Sequence, residues 1–198
     1  MTGEKVDPGE EPQPGGREPA PGRLGVLQAF ANTHYDLTGD RGGEVWRDPD
    51  ELMRWVKARG LAIETTLDAR DLTRARAVRE GLRALAWANN DQRLDTGAVA
   101  AMNDAAAHSG AVIRLDVSGP TFAGAGEPGI EPVLGEILIV AARSMIEGTW
   151  PRVKACPGRD CGWVFYDHSR NMSARWCSMK VCGDREKARS YYERTKAR

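Results

Sequence analysis

Four residues in this chain can do chemistry together: Cys156, Cys161, Cys177 and Cys182, all in the last quarter and the only cysteines present. Their spacing is C-x4-C, fifteen residues, then C-x4-C. Each close pair offers two thiolates from one tight turn, and the insert brings the pairs together, as a tetrahedral metal site requires. Four soft thiolates in a closed shell suit Zn²⁺, which makes no redox demands. Two disulfides or four free thiols are the other readings. Disulfides need an oxidising compartment, and the N-terminus lacks the apolar core of a secretory signal, so a cytoplasmic location and a structural zinc are expected. A shell closed by four cysteines leaves no position for a catalytic water.

Charge divides the chain in the same place. Residues 151–198 hold 12 basic and 5 acidic side chains, a net of +7, which leaves −7 on the rest of a chain whose total is 0. With the site counted as four thiolates and one Zn²⁺, the tail keeps about +5. A pI near 6.8 hides this polarity. There is no run apolar enough to span a bilayer, so no membrane partner is expected.

Residues 1–22 are rich in Pro and Gly and poor in apolar side chains, which predicts a disordered tail. A mostly helical domain is expected over 23–149. Leu24, Leu27, Phe30 and Ala31 recur at helical spacing up to Asn32. Asp48 and Pro49 open a second helix, with Leu52, Trp55 and Val56 inside and Gly60 at its end. Asp68 to Asn89 is the longest helical pattern, with Leu72, Ala75, Val78, Leu82, Leu85 and Ala86 in one stripe. Its Arg70, Arg74, Arg76, Arg79 and Arg83 read as a solvated face with Asp71 and Glu80 as local partners. Thr96–Ser109 is a further helix, Ala111–Val117 a strand turned at Gly119-Pro120 toward a partner at Thr121–Ala125, and Pro132–Glu147 an apolar helix at the centre of the core.

Over 150–198 the pattern is knuckle, hairpin and helix. Pro157 and Gly158 turn the first pair, and Trp163–Asp167 is a strand by residue type. Ala174–Trp176 is expected to return as its partner, between the two pairs. Asp184 is a candidate N-cap for a basic helix. That order is treble-clef-like, so the fold class is α+β: a mostly helical N-terminal domain with a small β-hairpin, then a zinc finger. Arg185, Arg189, Tyr192 and Lys196 fall on one face of the last helix. With Arg170, Arg175, Lys180 and Lys187 they form the candidate nucleic-acid contacts. Against this stands a basic helix laid on the acidic N-terminal part. Trp163, Phe165, Tyr166 and Trp176 are of the type that stacks on RNA bases, but so small a module needs them as its own core.

The stretch CGWVFYDHSRNMSARWCSMKVCGDREKARSYYER resembles the CGNR-type zinc finger of bacterial proteins. The four cysteines, Phe165, Asp167, Ser169, Arg175, the Trp176-Cys177-Ser178-Met179 run and Cys182-Gly183-x-Arg185 carry the likeness. In that family the finger follows a domain called ABATE, assigned to stress-induced transcription regulators, and Leu27-x-x-Phe30-Ala31-Asn32-Thr33 is similar to its opening. The resemblance implies a zinc-dependent regulator that binds DNA through residues 170–198, with a small-molecule effector or a protein partner at the N-terminal domain. Where the family name has Asn, this chain has Asp184, which caps a helix equally well but repels phosphate.

The competing expectation is a protein-interaction adaptor in which zinc only holds a docking surface. The enzyme case is thin: His34, His108 and His168 are scattered, and no phosphate loop or nucleophile elbow is present. Asn32, Thr33 and His34 are the polar cluster that could line a ligand pocket; the commoner role for such residues is helix capping.

Overall fold

The computed structural model describes residues 13–35, 43–61, 63, 65–117, 119–124 and 129–196. The N-terminal part is built from α1 (Arg23–Ala31), α2 (Pro49–Ala58), α3 (Ala69–Ala88), α4 (Thr96–Ala106) and α5 (Glu131–Ile146), with the hairpin β1 (Ala111–Asp116) and β2 (Gly119–Gly124). Among the described residues no helix is long and apolar enough to cross a membrane.

The helix starts follow their caps. Asp48 accepts from the Glu51 N–H at 2.8 Å. Asp68 and Asp71 form a reciprocal capping box at the start of α3, which satisfies donors the helix itself cannot. α1 is buried at every position from Leu24 to Ala31, so it shares the centre of the core with α5. A helix apolar all round must be enclosed. In the hairpin, Asp116 pairs with Gly119 and Leu115 with Pro120. The turn therefore precedes Gly119-Pro120, and both residues lie in β2. Proline is tolerated there because each strand of a two-stranded ribbon is an edge.

The C-terminal part contributes β3 (Val153–Ala155), β4 (Val164–Tyr166) and α6 (Asp184–Lys196). β3 pairs antiparallel with β4, Val153 opposite Tyr166 and Ala155 opposite Val164. The expected hairpin between the cysteine pairs is thus corrected: the partner of β4 is the strand before Cys156. Residues 167–174 cannot serve, because they wrap around one carboxylate. Asp167, wholly buried, accepts from Ser169 N, Ser169 Oγ and Ala174 N at 2.6–3.0 Å and from Lys154 Nζ at 2.8 Å. Burial pushes the Asp167 carboxyl up, but Lys154 and Ser169 bring it below the usual carboxylate range.

β3 and β4 have two buried faces. Val153, Ala155, Val164 and Tyr166 join the core of α1–α5, while the alternating residue Phe165 joins a second core made by the cysteines. The core of α1–α5 therefore continues into residues 150–166.

Two further expectations change. Residues 1–12 lie outside the described residues, but 13–22, assigned by composition to the tail, are held on the finger. Arg17 donates to the carbonyls of Cys177, Trp176 and Tyr166 at 2.9–3.3 Å. The Ala20 N–H donates to Gln28 at 2.7 Å. The arginine face of α3 is only partly solvated: Arg79 and Arg83 are 2% and 0% exposed. Arg79 takes Glu44 in a two-pronged pair at 2.6 and 2.7 Å. Arg83 bonds Glu80 and the carbonyls of Ala31, His34 and Gly162.

Candidate metal centre and nucleic-acid interface

The first knuckle is the turn that joins β3 to β4. Cys156 N–H donates to Trp163 O, and Cys161 N–H to Gly158 O, each at 2.9 Å. The second begins where Ser178 Oγ accepts from Val181 N–H at 3.3 Å and a turn of π-helix carries Cys182 into α6. Ser178, not Asp184, is therefore the cap. Asp184 already has helical φ/ψ (−70°, −34°).

These two turns bring all four sulfurs within 4.8 Å of one another. Cys161 and Cys177 are 3.7 Å apart, Cys177 and Cys182 3.5 Å. A tetrahedron with Zn–S near 2.3 Å has edges of about 3.8 Å, so the cluster already has the size of the filled site. Cys156, Cys177 and Cys182 are buried and Cys161 half-buried. Gly158 leaves the needed room, since a Cβ there would stand 3.2 Å from the Cys182 sulfur and 3.4 Å from that of Cys156. Hydrogen bonds among the sulfurs, that of Cys161 foremost, draw the Cys156 thiol far down. The same contacts, with Cys156 foremost, push Cys161 and Cys177 far up. Cys182 is drawn down as well, and four thiolates packed this closely would repel one another. A divalent cation removes that conflict, and the closed S4 shell makes it structural zinc. His168 takes no part: its Nε2 lies 3.0 Å from Pro19 O.

The miniature core is Phe165 and the cysteines, with Trp163 and Trp176 packed against it. Tyr166 faces the larger core instead. These aromatics are used in packing.

The basic residues of the finger lie mostly at its surface. α6 buries none of its side chains. Arg170, Arg175, Lys180, Arg185, Lys187 and Lys196 are all exposed. Arg189 is half-buried, bonded to Glu186 at 2.8 Å. The same Glu186 oxygen accepts the Arg159 N–H at 3.1 Å, which fastens the start of α6 to the first knuckle. Lys187 is 3.9 Å from Asp184. The expectation that the helix lies against the acidic N-terminal part is not met.

A family model described as "Putative stress-induced transcription regulator", ABATE, matches residues 25–147. The chain belongs to the ABATE family. A second model, the CGNR zinc finger, matches residues 152–195, so the order expected from the resemblance holds. None of the curated proteins compared matches the chain.

The ABATE domain bonds the backbone of its finger, and one of the suspected pocket residues, Asn32, belongs to that grip. Asn32, 4% exposed, donates to Val164 O at 2.8 Å and accepts from Val164 N–H at 2.7 Å. Thr33 Oγ1 donates to Phe30 O at 2.8 Å, a local bond that ends α1. His34 lies 3.2 Å from Glu80. Around α3, Trp87, Asn89 and Asn90 donate to the carbonyls of Cys156, Trp150, Val153, Ala155 and Arg175 at 2.8–3.2 Å. Burial pushes the Glu80 carboxyl up, but Arg83, Arg79 and His34 bring it down to about 2. Nothing in the sequence distinguishes Asn89 and Asn90 from helix-end residues, and their role could not be read before the finger's position was known.

Proposed function

We propose that this ABATE protein is a non-enzymatic regulator that binds duplex DNA through α6 and the basic loops beside it. The zinc knuckles hold that helix away from the domain. The observation that carries the reading is a 13-residue helix with no buried side chain. Isolated helices of that length are marginal in water, so a helix anchored only at its start has its purpose outside the chain. Arg185 and Lys196 lie on one side with Tyr192, and Arg170, Arg175 and Lys180 extend the positive surface. Arginine and lysine at this density neutralise phosphates and release counterions. Asp184 is exposed in the first turn and paired loosely with Lys187, which weakens its repulsion of phosphate. A small polar effector would occupy not Asn32 but an open cavity of about 410 Å³ at the start of α3, lined by Thr65, Asp68, Arg70, Arg74, His108 and Glu131.

Fluorescence anisotropy of a labelled duplex, titrated with zinc-loaded protein across salt, tests this. Affinity should fall steeply with salt, and Arg185→Ala with Lys196→Ala should weaken binding and flatten the slope by about two units. Arg189 is a poorer probe, because it also fixes Glu186. No binding at low salt removes the proposal. Tyr191 and Tyr192 are 62% and 66% exposed, with Met179 and Val181 also open, and in that event they favour the adaptor, docked on another protein.

A further inference from the structure

The Trp176–Cys177 peptide unit stands between a zinc ligand and a cation from a distant part of the chain. Its N–H end, on Cys177, lies toward the Cys156 sulfur as a donor. Its carbonyl end, on Trp176, accepts from Arg17 Nη2 at 3.0 Å. The same guanidinium donates through Nε to Cys177 O at 2.9 Å and through Nη1 to Tyr166 O at 3.3 Å. It lies 4.7 Å from the ring centroid of Phe165, the side chain that packs with the cysteines.

A short strap sets Arg17 there. Gln13 Oε1 accepts from Trp163 Nε1 at 3.0 Å and from Gln28 Nε2 at 2.6 Å. Gly15 passes so close to Ser178 that a Cβ would stand 2.3 Å from the Ser178 Oγ, at a φ of +71° that L side chains rarely adopt. The strap lies outside both matched ranges, 25–147 and 152–195. The charge it delivers meets no carboxylate: among the described residues, each hydrogen bond of Arg17 ends on a carbonyl oxygen. A half-buried cation so placed needs a counter-charge. Zn²⁺ with four thiolates carries a formal charge of −2. Lys154, the buried cation of the finger, is already taken by Asp167 at 2.8 Å.

We propose that Arg17 belongs to the zinc centre as a positioning residue. It supplies counter-charge to the four thiolates and, through the Trp176–Cys177 peptide, orients the donor that meets Cys156. Hydrogen bonds in a chain polarise one another, so a guanidinium on the carbonyl end strengthens the N–H end. The strap Gln13–Arg17 then sets how tightly the finger holds its metal, and whatever lifts the strap loosens the zinc. DNA plays no part in this.

Competition for zinc between the full chain and a chromophoric chelator tests it, with circular dichroism as the check on folding. Arg17→Met keeps the length of the side chain and its contact with Phe165 but drops the charge and the donors. It should lower zinc affinity about 10- to 100-fold. Arg17→Lys, which keeps the charge, should recover part of that loss. Cobalt(II) in place of zinc separates charge from mere support. A cation beside the sulfurs lowers the energy of their lone pairs, so its removal should move the sulfur-to-cobalt charge-transfer band to longer wavelength, with Arg17→Lys close to wild type. Gly15→Ala, which displaces the strap and leaves Arg17 in the sequence, should change affinity and band in the same direction. Equal zinc affinities for wild type and Arg17→Met overturn the proposal. So does a fall in affinity with the band unmoved, or without recovery in Arg17→Lys. If Arg17→Met loses its helices, Gly15→Ala decides: affinity and band both moved sustain the proposal, and either one unchanged overturns it.

Discussion

Replacing Asn32 by alanine tests whether the two family modules form one cooperative unit. The Asn32 amide makes two bonds to the Val164 backbone at 2.7 and 2.8 Å, in a place where the residue is 4% exposed. Val164 O keeps a second donor, Gln28 Nε2 at 3.1 Å, but among the described residues Asn32 is the acceptor of the Val164 N–H. Stranding that buried donor costs about 1–3 kcal/mol, and the lost bond to the carbonyl about 0.5–1.5 kcal/mol more. The expected loss is therefore about 2–4 kcal/mol, or roughly 1–2 M in urea midpoint at a slope near 2 kcal/mol/M. Unfolding should be followed at saturating zinc by circular dichroism and, in parallel, by release of zinc to a chromophoric chelator. Because β3 and β4 belong to the core of α1–α5, both signals should move together, in wild type and variant alike. A midpoint shift under about 0.2 M, or zinc leaving wild type well before the helices melt, would refute the reasoning.

Gly158→Ala should lower zinc affinity about 10-fold or more in competition with a chelator, since its Cβ would crowd the Cys156 and Cys182 sulfurs. Asp167→Asn strands the buried Lys154 ammonium and should cost about 3–5 kcal/mol in urea unfolding, whereas Lys154→Met with Asp167→Asn recovers part of that loss. Glu80, held to about 2 in the folded chain against an ordinary value of 4.5, contributes stability that is complete above about pH 4.5 and is lost as pH falls toward 2. The stability difference between wild type and Glu80→Gln should accordingly be constant near neutrality and narrow at pH 3–4.

The zinc site was legible because it is written locally: two turns, each with its own pair of thiols, need only meet. The helices were legible where Asp48 and Asp68 announce their starts. What the sequence hid were contacts made across the chain. Arg83 has the spacing of a solvated residue, and only the finger's Gly162 carbonyl and the ends of α1 turn its position into an interior one. β4 carries strand-type residues but no label for its partner, and the carboxylate of Asp167 decided that question by coiling residues 167–174 around itself. The Pro- and Gly-rich stretch before Arg23 lacks apolar surface, yet Arg17 alone finds three carbonyls to satisfy it. Asn32 was visible as unusual, though its task is adhesion rather than recognition of a ligand.

The polar bonds by which the domain holds its finger run to peptide groups, at Val164, Gly162, Cys156, Val153, Ala155 and Arg175, beside the apolar packing of β3 and β4. None of these contacts uses a side chain of α6, which buries none. Residues 184–196 can thus change one by one, and with them whatever the protein recognises, while the part that aims the helix stays as it is. Variation between members should gather on that outer helix and spare Asn32, Arg83, Asn89 and Asn90.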